Sequence, residues 1–132
     1  MTYTELKKQH QDKLTILIDK LGIFWAFSDK QMTERLDKLK LTTKDIISLG
    51  SGMLCPRANY EEYKASIKAL NDEFVANMKT LPPEQVIEYE LSNHECYYSG
   101  DPSEIYDLFE DIGYTKEQIL KVYNDTKGRH ND

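Results

Sequence analysis

Apolar side chains recur at three- and four-residue steps through the first twenty residues. Leu6, Leu14, Leu17, Ile18 and Leu21 form one stripe with His10 inside it, the pattern of a helix with a single buried face. Gly22 follows as a left-handed C-cap, with Ile23 placed for the apolar contact that accompanies such an ending. The compact aromatic run Ile23-Phe24-Trp25-Ala26-Phe27 predicts a strand. Ser28 and Gln31 have the spacing of a capping box, in front of a second helix marked by Met32, Leu36 and Leu39.

Asp45–Leu49 predicts a strand, Gly50-Ser51-Gly52 a tight turn, and Met53-Leu54-Cys55 the returning strand, stopped by Pro56. Asn59 is placed to cap a third helix with a core face of Tyr63, Ile67, Leu70, Phe74 and Met78. Pro82-Pro83 ends it and starts a fourth. Residues 87–91 alternate like a strand, yet Ile87, Leu91, His94 and Tyr98 share a helical face, and the Pro-Pro-Glu entry favours the helix. Asp101 caps a fifth helix with Ile105, Leu108, Phe109 and Ile112 inward. Thr115 and Gln118 open a last one carrying Ile119, Val122 and Tyr123. The expectation is an α+β fold: about six helices on a small antiparallel sheet of about three short strands. It is read as a single domain over 1–132, with 127–132 as a frayed tail.

Charge changes this picture more than composition does. The net charge is −6, but residues 1–40 carry eight basic and six acidic side chains, whereas residues 83–132 carry four basic and twelve acidic. No Lys or Arg occurs between Thr80 and Thr115, where nine carboxylates fall. A field of that sign repels phosphate backbones and attracts basic surfaces, so the expected partner is a protein with a basic face and not nucleic acid. Six of the nine tyrosines also follow residue 83. Tyrosine among carboxylates suits a protein-binding surface, and it equally suits gaps between terminal helices. The residues assigned to the contact are Glu84, Glu88, Glu104, Asp107, Glu110 and Asp111, with Tyr97, Tyr98 and Tyr106. No apolar run is long enough to span a bilayer and no signal peptide is visible. The expectation is a cytoplasmic chain without membrane contact, keeping Cys55 and Cys96 reduced.

Candidate chemistry is sparse. Gly50-Ser51-Gly52 lacks the Lys and the following helix of a phosphate loop. Glu90 and His94 stand four apart, so a helix would bring a carboxylate and an imidazole together. Three readings follow: a histidine at the core's edge bonded to Glu90 or a backbone carbonyl, a metal site of Glu90, His94 and Glu95, or a histidine oriented by Glu90 as a base. No cofactor is expected.

Three segments carry a resemblance: Phe24-Trp25-Ala26-Phe27-Ser28-Asp29-Lys30-Gln31, Ile46–Met53, and Tyr89-Glu90-Leu91-Ser92-Asn93-His94-Glu95-Cys96. Together they resemble a family of small uncharacterised proteins of bacteriophages, prophages and other mobile elements, over about residues 23–101. The third segment is the most specific. The resemblance implies no activity; it implies an accessory protein that engages a host protein, for example blocking a defence nuclease at its basic surface. Two functions are therefore carried forward. One is a non-enzymatic binding protein acting through its acidic C-terminal half. The other is a small metal-dependent enzyme, such as a hydrolase, centred on Glu90, His94 and Glu95 with Asp101 nearby.

Overall fold

The first stripe is a helix, α1 (Tyr3–Lys20), in a computed structural model that describes residues 1–130. Thr2 and Glu5 cap it reciprocally: the Glu5 amide donates to Thr2 Oγ1, and the Thr2 amide to Glu5 Oε2, both at 3.2 Å. At the other end Gly22 takes φ +70°. Its amide reaches the Asp19 carbonyl and the Ile23 amide that of Ile18, the paired bonds of a Schellman ending.

The chain divides into two compact units, Lys8–Glu73 and Met1–Lys7 with the segment from Phe74 onward. The first holds the sheet: β1 (Phe24–Trp25), β2 (Ile46–Gly50) and β3 (Met53–Pro56), antiparallel in the order β1-β3-β2. Strand alternation splits its side chains between two clusters. Phe24 and its cross-strand partner Leu54 join Leu36 of α2 (Asp29–Leu39). Cys55 joins Leu17, Leu21 and Ile23, against Tyr60, Tyr63, Ile67 and Leu70 of α3 (Tyr60–Met78).

Two local expectations change. The run 23–27 pairs only at Phe24–Trp25: the Ala26 amide takes the Gly52 carbonyl at the hairpin turn, beyond which β3 offers no partner. The Phe27 amide instead donates to Gln31 Oε1 at 2.8 Å, while the Gln31 amide donates to Ser28 Oγ. Asn59 does not cap α3. It ends a 3-10 turn, Arg57–Asn59, and its side-chain Nδ2 donates to the Leu21 carbonyl at 2.8 Å, satisfying a group exposed by the end of α1.

The second unit is helical: α4 (Pro83–Asn93), α5 (Cys96–Ser99), α6 (Tyr106–Glu110) and α7 (Lys116–Thr126), with 3-10 turns at Pro102–Ile105 and Lys127–Arg129. Val86, Ile87, Leu91, Cys96, Ile105 and Ile119 are wholly buried, and Tyr3, Leu6, Met78 and Phe109 pack with them. Burying each large apolar side chain contributes about 1.5–3 kcal/mol. The face shared by Ile87, Leu91, His94 and Tyr98 does not exist, because the helix breaks. His94 is the C-cap of α4 and Glu95 is left-handed at φ +57°. The chain re-enters as α5 with Cys96 and Tyr97 inward and Tyr98 93% exposed. That break makes seven α-helices of the expected six among the described residues, and the fold is α+β. Residues 127–130 have partners, described below; 131 and 132 lie outside the described residues.

The hairpin turn generates a test. Gly50 and Gly52 sit at φ +93° and +80°, where an L side chain costs about 1–2 kcal/mol. In urea denaturation Gly50→Ala should lower stability by about that amount and Gly52→Ala by at least as much. A Cβ on Gly52 would also lie 2.5 Å from the Phe27 ring, so only Gly52→Ala should shift the Phe27 ring resonances by NMR. Wild-type stability in both variants would contradict the positive-φ turn.

Candidate functional site

The acidic stretch is best understood from its buried side. Ile105 and Phe109 are held in the core, which fixes the Pro102–Ile105 turn and α6. Glu104 of that turn, Asp107 and Leu108 of α6, and its C-cap Asp111 are then left on the outside, and all four are exposed. Glu110 is exposed beside them. Among the described residues none of these carboxylates enters an ion pair or hydrogen bond, unlike Asp72 and Asp125, which pair with Lys68 and Lys121 four residues away. Asp101 has a local task. It accepts from the Ser103 amide at 3.0 Å and from the Ser103 hydroxyl, and those bonds hold its carboxyl below the usual range.

The other residues assigned to the contact are placed differently from one another. Glu84 is exposed in the first turn of α4, and Tyr98 is almost fully exposed. Tyr106 is half-buried, with Lys116 Nζ 5.9 Å from its ring centre. Tyr97 cannot meet a partner as it stands: it is buried, stacked on His130 at 4.0 Å and on Tyr123 at 5.7 Å, and its hydroxyl bonds Thr126. Its place on an inward turn after the Glu95 break explains the correction. Glu88 is half-buried and already taken by Arg129 at 3.3 Å and His130 at 3.2 Å.

Glu90, His94 and Glu95 do not converge. Glu90 is 4% exposed and its oxygens receive Lys7 Nζ at 2.9 and 3.2 Å, Tyr3 Oη at 3.2 Å and Asn93 Nδ2 at 3.4 Å. His94 and Glu95 are exposed: the His94 amide still donates to the Glu90 carbonyl at 3.0 Å, but the Glu90 carboxylate is turned into the core while the imidazole faces water, and no hydrogen bond joins the two side chains. Among the described residues no group of three or more His, Cys, Asp or Glu side chains could hold a metal ion. Cys55 and Cys96 are buried free thiols. Burial pushes both up in pKa, and Glu104 and Asp101 push Cys96 further, which leaves them poor nucleophiles.

Sequence reasoning missed Tyr3, Lys7 and Gln85. Tyr3 donates its amide to Gln85 Oε1 at 2.9 Å and lies edge-on to Tyr89 at 5.1 Å, with Lys7 Nζ 5.0 Å from the Tyr89 ring centre. The Thr-x-x-Glu start at Thr2 was the available signal. A cavity of about 340 Å³ lies beside them, lined in part by Tyr3, Gln85, Glu88, Ser92 and His130. The Ser92 hydroxyl makes no hydrogen bond to the His130–Glu88 pair, so no relay to a nucleophile is assembled.

The family model of DUF7659, a family of unknown function, matches residues 2–128. The chain belongs to that family. No curated protein and no solved structure matches it. The DUF7659 description assigns no activity, so function is argued from the geometry above. No described helix is long and apolar enough to cross a membrane.

Tyr3 gives the subsection its test. Burial first, then the negative charge of Glu90, raise its phenol far above the usual value, and burial also raises Tyr97 and Tyr114. A group raised on folding contributes stability that is complete below its unfolded pKa, about 10 for tyrosine, and is lost as pH climbs beyond it. Urea denaturation should therefore show falling stability above about pH 10. Tyr3→Phe should cost about 1 kcal/mol at pH 7 and show a smaller alkaline decline. An unchanged decline would assign it to other groups.

Proposed function

We propose that this chain is a non-enzymatic binding protein that docks the exposed group Glu104, Asp107, Leu108 and Asp111, with Glu110 beside it and Glu84 of α4 as a further acidic contact, onto a basic surface of another protein. The observation that supports this most is the unpaired state of the group's carboxylates around Leu108, which is 42% exposed. An interface uses such an apolar side chain as the water-excluding contact within a charged rim. Unpaired acids also need no local ion pair broken before they meet a cation, so attraction goes into association rate. The resemblance to mobile-element proteins supports a host protein as the partner, with a defence nuclease, whose nucleic-acid channel is basic, as a fitting example. The dispersal of Glu90, His94 and Glu95 weighs against the metal-dependent alternative.

Capture from bacterial lysate at low salt should recover a basic protein that is released as ionic strength rises. Glu104→Lys, Asp107→Lys and Asp111→Lys together should abolish capture while leaving the thermal melt nearly unchanged. Equal capture by the triple variant would place the contact elsewhere.

A further inference from the structure

The sheet-bearing unit carries a second exposed feature of opposite character. An open groove of about 520 Å³ is lined by Trp25, Phe27, Gln31, Glu34, Arg35 and Lys38. Trp25 is 43% and Phe27 72% exposed, a large apolar area to leave in water with no local explanation.

Phe27 is nonetheless held in place. Its amide is tied to Gln31 Oε1, and its ring lies so close over Gly52 that any Cβ there would overlap it. Its Cδ1 and Cε1 atoms stand where a Gly52 Cβ would be, and most of the ring is open to water. Across the groove Gln31, Arg35 and Lys38 fall at i, i+4 and i+7 of α2, one face of that helix. Arg35 and Lys38 enter no ion pair among the described residues, although Glu34 adjoins them. Flat rings, two unpaired cations, an indole N–H and a side-chain amide make a site for a planar ligand that bears an anion.

We infer that this groove binds a phosphorylated nucleoside, its base stacked on Phe27 and Trp25 and its phosphate met by Arg35 and Lys38. The volume lies within the range of small-ligand sites, and stacking on exposed aromatics is tolerant of base identity. The free mononucleotide is favoured over a nucleic-acid strand, because two cations and a chain net charge of −6 oppose a polyanion. This site is independent of the acidic group on α6.

Trp25 is the only tryptophan, so its emission, excited at 295 nm to avoid base absorption, reports on the groove alone. Titration with AMP and GMP should quench it saturably, with the indole N–H resonance of Trp25 shifting in parallel. The double variant Arg35→Ala, Lys38→Ala should weaken binding at least tenfold, and adenosine without its phosphate should bind as weakly to wild type. Gly52→Ala, by dislodging Phe27, should also weaken AMP binding. If that variant is too unstable to titrate, Phe27→Ala substitutes for it with the same expectation. No saturable signal up to millimolar nucleotide would overturn the inference. So would AMP affinity unchanged by the double variant. Binding confined to a single-stranded oligonucleotide, or an acidic peptide binding as tightly as AMP, would also overturn it.

Discussion

One buried charge organises the helical unit. Among the described residues Glu90 is the one Asp, Glu, Lys, Arg or His side chain that is buried, and an isolated carboxylate out of water costs several kcal/mol unless cations and donors meet it. Lys7 and Tyr3 supply both from the first two turns of α1. That need fixes where the chain's N-terminal residues lie on α4, whose neighbours Val86, Ile87 and Leu91 centre the core. Tyr3 then finds Gln85 for its amide and Tyr89 for its ring. The same carboxylate is thereby withdrawn from chemistry: its oxygens are occupied in the core, and the histidine four residues on, the C-cap of α4, faces water.

With Glu90 consumed by structure, the remaining acids of the stretch divide by burial. Glu88 secures Arg129 and His130, so these two residues are tied back to α4, and His130 stacks on Tyr97. The α6 acids are left facing water because Ile105 and Phe109 take the inward positions. Function is thus drawn toward surfaces: carboxylates around Leu108 in one unit, and an aromatic groove with two cations in the other. Their charges are opposite, so they select different ligands.

The fold was legible wherever a local signal decided the outcome. Gly22, Ser28, Thr115 and the Gly50–Gly52 turn each dictate backbone geometry through one or two residues, and each does so here. The α4–α5 break was not legible, since periodicity from Ile87 to Tyr98 is compatible with one continuous helix. Only the inward demand of Cys96 and Tyr97 forces the turn at Glu95. Site residues were harder for the same reason. The free acids on α6 could be read from spacing, but Tyr97 and Glu88 look identical in sequence to exposed neighbours. Lys7 and Tyr3 meet Glu90 across more than eighty residues, a separation that no local pattern encodes.

The organising role of Glu90 is tested most directly by a double-mutant cycle of Lys7→Met and Glu90→Gln, read by urea denaturation at pH 7. Lys7→Met should cost about 1–3 kcal/mol, less than the 3–5 of a fully buried pair, because the lysine side chain keeps 32% of its exposure. The double variant should be more stable than the summed losses imply, with a coupling energy of about 1 kcal/mol or more. Losses that add to within about 0.3 kcal/mol would contradict the claim that this ion pair holds the first turns of α1 on α4.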